Sequence, residues 1–141
     1  MKNKITIRAR YSETDQMGVI YHANYFNWFE IGRTSFFRNL GYDYKQLENE
    51  GVLLPVIDVG CKYIVSAKYD DEIIIETYIE NLKGVKIKYK YNIIRKRDNL
   101  LLAEGYTLHA FVNKNLRPIN FKKKYNELWN KLNEAREKEK K

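Results

Sequence analysis

Between residues 23 and 40 the chain places Tyr25, Trp28, Phe29, Ile31, Phe36 and Phe37 at helical spacing, and Gly41 stops the run. The apolar band they form is too wide for a helix lying on a surface. The segment therefore reads as a helix enclosed by the rest of the chain. What encloses it follows from the later apolar stretches, which read as strands. Residues 56–67, 72–81, 85–96 and 100–112 are separated by turn signals at Asp70-Asp71, Lys83-Gly84 and Arg97-Asp98-Asn99. The third of these runs alternates, with Val85, Ile87, Tyr89, Tyr91 and Ile93 on one face and Lys86, Lys88, Lys90 and Asn92 on the other. Such a strand is covered on one side and wet on the other.

A first strand is expected over 5–11 and a short helix over 44–50, closed by Gly51 and followed by Pro55. A terminal amphipathic helix carries Tyr125, Leu128, Trp129 and Leu132. Strand, helix, then an antiparallel meander makes an α+β chain, with the helix packed against one face of a curved sheet. At 141 residues, without repeats or a Pro/Gly/Ser-rich linker, residues 1–141 read as one domain.

Composition narrows the function classes. The lone Cys61 leaves no internal disulfide framework, and the sequence begins directly in an alternating strand without a signal-peptide core. A cytoplasmic protein with no membrane partner is expected. Half of the net charge of +8 lies in the basic tail, residues 122–141. A solvated helix end accounts for that tail more simply than nucleic-acid binding does. Two histidines and one cysteine, far apart, are a poor metal set, and neither metal nor cofactor is expected. Cys61 reads as buried in a strand and His109 as structural. No Gly-x-Ser-x-Gly elbow supports a serine hydrolase, and no glycine loop supports a phosphate site.

The chemistry concentrates ahead of the enclosed helix. Asp15 lies in a polar turn ended by Gly18, and the first helical turn offers unpaired amides and a positive dipole end. Two readings stand. An Asp beside a Gly commonly caps a turn. Next to amides that could hold a carbonyl oxygen, the same carboxylate is a base or a nucleophile.

Tyr11, Asp15, Gly18, Tyr21, His22 and Tyr25 form a Tyr-x-x-x-Asp-x-x-Gly-x-x-Tyr-His-x-x-Tyr pattern. It resembles the signature of hotdog-fold acyl-CoA thioesterases of the 4-hydroxybenzoyl-CoA thioesterase and YbgC type. The likeness continues through Phe29-Glu30-Ile31-Gly32-Arg33-Thr34 and returns at Val65-Ser66-Ala67-Lys68-Tyr69-Asp70-Asp71-Glu72, with Ser66 where the family often has Pro. It extends to about Pro118.

The resemblance implies a hotdog fold, a curved antiparallel sheet wrapped around a long central helix, with a C-terminal helix following. It implies hydrolysis of an acyl-CoA to free acid and CoA. Asp15 matches the catalytic carboxylate, the amide near His22 the oxyanion donor, and the His22 side chain a group that orients water or substrate. Tyr11 is expected to support Asp15. Tyr21, Tyr25, Ile57, Val59 and Lys68 are expected to bind substrate. Trp28 and Phe29 would join Tyr25, Ile57 and Val59 around the acyl group. On or beside the meander strands, Lys62, Lys86, Lys88 and Arg95 join Lys68 as candidates for the phosphates of CoA, against the simpler reading of each as part of a solvated strand face. A homodimer or homotetramer is implied, with pantetheine along the subunit interface. Acyl carrier protein is an alternative thioester carrier, given the basic terminal helix. A nucleic-acid-binding module is the reading from another class, unsupported by any aromatic–basic RNA motif.

Overall fold

The computed structural model describes residues 2–140, so Lys141 of the expected basic tail lies outside the described residues. Strand β1 (Asn3–Arg8) leads through a short 3-10 turn (Tyr11–Glu13) and a loop to helix α1 (Asn24–Asn39). Helix α2 (Tyr44–Asn49) follows, then strands β2 (Val56–Tyr63), β3 (Glu72–Lys83), β4 (Lys86–Arg95) and β5 (Leu100–Ala110). A helical turn α3 (Phe121–Lys124) and helix α4 (Asn126–Lys140) end the description. The five strands form one sheet in the order β1-β3-β4-β5-β2, with every pairing antiparallel.

Helix α1 lies very close to the sheet because two glycines allow it. A Cβ on Gly105 of β5 would sit 2.6 Å from Phe29 Cζ. A Cβ on Gly32 of α1 would run into Thr77 Oγ1 and lie 2.8 Å from Ile75 Cγ2. With the backbones this near, Phe29 stacks on Tyr91 at 4.4 Å, and Trp28, Phe36 and Phe37 are fully enclosed. β4 alternates as expected, burying Ile87, Tyr89, Tyr91 and Ile93. Leu128, Trp129, Leu132 and Ala135 bury one side of α4.

Four expectations change. β1 stops at Arg8 rather than Tyr11, because Glu13 takes the Arg10 amide and turns the chain. β2 stops at Tyr63, and residues 64–71 form a loop instead of prolonging the strand. Ile31 points outward and is 38% exposed, so the apolar band of α1 is narrower than the sequence suggested. Cys61 is only half-buried, since β2 has a strand on one side alone.

The two sheet edges differ. On β1, Lys4 pairs with Glu76 at 3.6 Å, and Arg8 with Glu72 at 3.2 Å and Asp70 at 3.4 Å. On and just after β2, Val56, Ile57, Val59, Tyr63, Ile64 and Val65 are all exposed. Charges discourage strand addition, whereas an apolar open edge invites it. Among the described residues no helix is long and apolar enough to cross a membrane.

Candidate active site

The loop before α1 is built around Asp15. Its amide donates to Val19 O (2.9 Å), its carbonyl accepts from Gly18 N (3.1 Å), and its Oδ1 accepts from Met17 N (2.8 Å). Gly18 closes this turn at φ +79°, a conformation a side chain would strain. Asp15 thus caps its turn with one carboxylate oxygen. The other, Oδ2, has no hydrogen-bond partner among the described residues, on a half-exposed side chain. The turn-capping and reactive readings therefore fit the same residue.

Behind Asp15 begins α1. The peptide N–H groups of His22 and Ala23 donate to nothing among the described residues, whereas those of Asn24 and Tyr25 are already bonded to Tyr21 O and His22 O. Two open donors at a helix start make a place for a developing negative oxygen. His22 O also accepts from the Tyr63 hydroxyl at 3.0 Å. Partial burial, with Cys61 and Tyr25 nearby, pushes that hydroxyl up to about 12, so it remains a donor. The His22 ring is exposed, against Tyr21 at 4.5 Å and edge-on to Tyr63 at 6.1 Å.

Sequence reasoning did not single out Glu13 or Tyr63. Glu13 is only 7% exposed. Its Oε1 accepts from Arg10 N (2.8 Å) and its Oε2 from Trp28 Nε1 (2.9 Å). Its carbonyl accepts from Tyr21 N (2.8 Å) and Asn24 Nδ2 (2.9 Å). The signal available was an acid two residues before Asp15, without any hint that Trp28 would reach it.

The other expected residues divide. Tyr11 turns its ring onto Tyr69, 5.6 Å away at right angles, and makes no hydrogen bond to Asp15, so the expected support is not formed within this chain. Tyr25 is buried, and its hydroxyl accepts from Ala67 N at 3.1 Å, which pins the 64–71 loop to α1. Burial raises its pKa, and in this chain it is a core residue. Phe29 is sealed in the core, and Trp28 is buried with an edge lining the groove along α1. Ile57 and Val59 remain exposed on the open edge of β2, and Tyr21 beside His22. Lys68 lies next to the Asp15 loop through the Val19–Lys68 bridge. Of the phosphate candidates, Arg95 is bound twice to Asp98 (2.7 and 3.0 Å) and Lys88 pairs with Glu80 at 3.1 Å, while Lys62 and Lys86 stay exposed. Met17 in the Asp15 loop is 81% exposed, and Tyr11 (74%), with its ring against Tyr69, is exposed as well. A groove of about 540 Å³ runs along the outer flank of α1, past Arg10, Glu13, Asn27, Trp28, Ile31 and Arg38.

Beneath the middle of α1 is a different polar set. Tyr91 and Thr107 hydroxyls are 2.6 Å apart, Thr107 Oγ1 is 2.8 Å from His109 Nε2, and His109 Nδ1 is 3.0 Å from Leu54 O. The carbonyl only accepts, so Nδ1 carries the proton and Nε2 accepts from Thr107, which in turn accepts from Tyr91. Burial pushes His109 down to about 4, keeping the ring neutral in this role. The chain is hydrogen-bonded end to end and makes His109 structural.

A long helix clasped by a curved antiparallel sheet is the hotdog arrangement, and the proteins to which the chain is similar in sequence and structure are thioester hydrolases. The Thioesterase-like superfamily matches over residues 9–135, and the chain belongs to that family. YneP of Bacillus subtilis is 39% identical over 124 residues, 87% of this chain and 89% of that protein. The acyl-CoA thioesterase YbgC of Haemophilus influenzae is 33% identical over 83% of this chain and 86% of its own length. The crystal structure of the DHNA-CoA thioesterase of Staphylococcus aureus superposes with a TM-score of 0.90 at 32% identity, covering 99% of this chain and 95% of that one.

Proposed function

We propose that the chain hydrolyses an acyl-CoA thioester, with Asp15 as the reactive carboxylate and the His22 and Ala23 amides holding the thioester oxygen. The observation that carries this reading is the pairing of a free Asp15 oxygen with two open helix-start N–H groups, in a loop tied to that helix. As general base, Asp15 takes a proton from water while the resulting hydroxide attacks the thioester carbon. The tetrahedral intermediate places its negative oxygen at the amides, then expels CoA as thiolate, which takes up the proton. As nucleophile, Asp15 instead forms a mixed anhydride with release of CoA, and water then opens it. In ¹⁸O-water, label in Asp15 after a single turnover marks the nucleophilic route, with water opening the anhydride at the Asp15 carbon; the general-base route labels the acid product alone.

A homodimer paired along β2 fits the same reading. It covers the exposed Val56, Ile57, Val59 and Tyr63 and leaves the charged β1 edge outside. It also brings a second copy against the Tyr63 end of β2, where His22 lies, so substrate would lie between subunits. A charge at the centre of that edge, Val59→Lys, should shift the sedimenting species to monomer and remove activity with it. A Val59→Lys dimer with full turnover counts against the arrangement.

The test of the activity is thiol release across acyl-CoA chain lengths and aromatic acyl groups, including DHNA-CoA, on which the Staphylococcus relative acts by name. Matched carrier-protein thioesters run alongside them. Activity confined to the carrier-protein set would move the assignment to that carrier, and a flat panel on both would end it.

A further inference from the structure

We propose that Glu13 is a positioning residue that sets Asp15 against the start of α1, an inference that rests on Asp15 being the reactive carboxylate. The turn holding Asp15 is rigid within itself, because its bonds join residues 15–19 to one another. Internal rigidity does not aim it. Its rear attachment is Ile20 N to Ala67 O at 2.9 Å, with the Val19–Lys68 bridge beside it. Its front attachment is Glu13, two residues before Asp15.

Four donors converge on Glu13 from the turn after β1, the helix start and the second turn of α1. Arg10 N and Trp28 Nε1 each take one carboxylate oxygen, at 2.8 and 2.9 Å. Tyr21 N and Asn24 Nδ2 share its carbonyl, at 2.8 and 2.9 Å. Tyr21 immediately precedes His22, whose open N–H is the proposed oxygen donor. One residue thus ties the loop bearing the base to the backbone bearing the oxyanion donors, while the Trp28 indole anchors both in the core. Burying a carboxylate this deeply is unfavourable unless its lone pairs are met. Two N–H donors from separate elements meet them, and the Arg10 guanidinium nitrogen Nε stands at 3.6 Å from Oε1. A glutamine offers one acceptor oxygen and cannot serve both donors.

The consequence is kinetic. A misplacement of about 1 Å between reacting groups costs on the order of 10²-fold in rate. Loosening the front attachment should therefore lower kcat without altering the exposed surface that meets substrate. The experiment measures thiol release, amide exchange and melting for Glu13→Ala, Glu13→Gln, Trp28→Phe and the double variant Glu13→Ala/Trp28→Phe, beside Asp15→Asn. Glu13→Ala is expected to lose about 30-fold to 100-fold in kcat with KM changed by less than about threefold, and Glu13→Gln roughly tenfold in kcat. Amide exchange at residues 14–21 should rise while that of β4 stays protected. The double variant should be no slower than the slower single one, because both remove one connection.

Full kcat in folded Glu13→Ala beside an inactive Asp15→Asn would overturn the positioning role and leave Asp15 standing. Turnover retained by Asp15→Asn would overturn both. If Glu13→Ala fails to fold, Glu13→Gln and its cycle with Trp28→Phe decide: losses that simply multiply would show two unrelated packing defects and reject the proposal, as would a raised KM at unchanged kcat.

Discussion

At its first turn α1 meets an open loop, unbonded amides and exposed aromatic rings; at its middle it meets Gly105, Thr77 and the closed Tyr91–Thr107–His109 series. The start leaves exposed polar groups without protein partners; the middle satisfies His109 at both nitrogens, packs the backbone to the limit of glycine, and buries one hydroxyl, Thr77 Oγ1, without a partner. Exposed donors and acceptors can be met by water or by a ligand, whereas the buried Thr77 hydroxyl cannot. A substitution at the start should therefore change rate and spare stability, and one at the middle should do the opposite.

The largest expected effect is at the start. Asp15→Asn should reduce kcat by about 10³-fold, within the usual reach of a general base, and leave the melting temperature within a degree or two. Thiol-release kinetics and a melting curve on the same sample check it, and near-normal turnover would sink the comparison at its first term.

Next is pH at the middle. His109 titrates at about 4 in the fold against 6.5 in the unfolded chain. A depressed base binds protons in the unfolded state first, so stability is complete above pH 6.5 and declines as pH falls to 4. The full loss across that window is about 3 kcal/mol. Urea unfolding at intervals between pH 7 and 4 should show it, and His109→Gln should flatten that part of the curve.

Smaller again is Gly32→Ala. Its methyl group would enter Thr77 Oγ1 and Ile75, which should cost about 1–3 kcal/mol as an overpacked contact. The urea midpoint should fall while kcat per folded molecule holds. A kcat that falls with the midpoint would mean the middle of α1 is coupled to its start.

Tyr25→Phe probes the border between the two regions. Tyr25 sits in the first turn yet is buried, and the change strands the Ala67 amide, for about 1–2 kcal/mol of stability. KM should not move; a raised KM would return Tyr25 to the substrate contacts.

The periodicities of α1 and β4 were legible because each has one buried side, and burial of one side is what writes a period into sequence. β2 resisted the same reading: exposed residues follow one another from Val56 to Val59, so neither its end nor its cover could be read. Ile31 misled for a related reason, an apolar residue on the outer flank of a helix whose neighbours Asn27 and Glu30 are exposed. Asp15 and His22 stand out as candidates through the spacing of a family signature, and Asp15's turn through its glycine. Glu13 does not, because an acid in a loop reads as solvated until a tryptophan fifteen residues later is known to face it. Tyr11 and Tyr25 share the signature with Asp15, yet one ring packs on Tyr69 and the other hydroxyl holds Ala67. Spacing locates a motif without assigning each member its partner.

The uneven edges of the sheet bear on how the protein survives handling. A lone copy exposes on β2 a row of unmet peptide groups among aliphatic side chains, the surface most apt to capture a stray strand. In the proposed β2-paired homodimer, mass action would make that exposure grow as the solution is thinned. With the proposed β2 pairing, dilution itself becomes a stress: thin stocks should lose activity that concentrated ones keep.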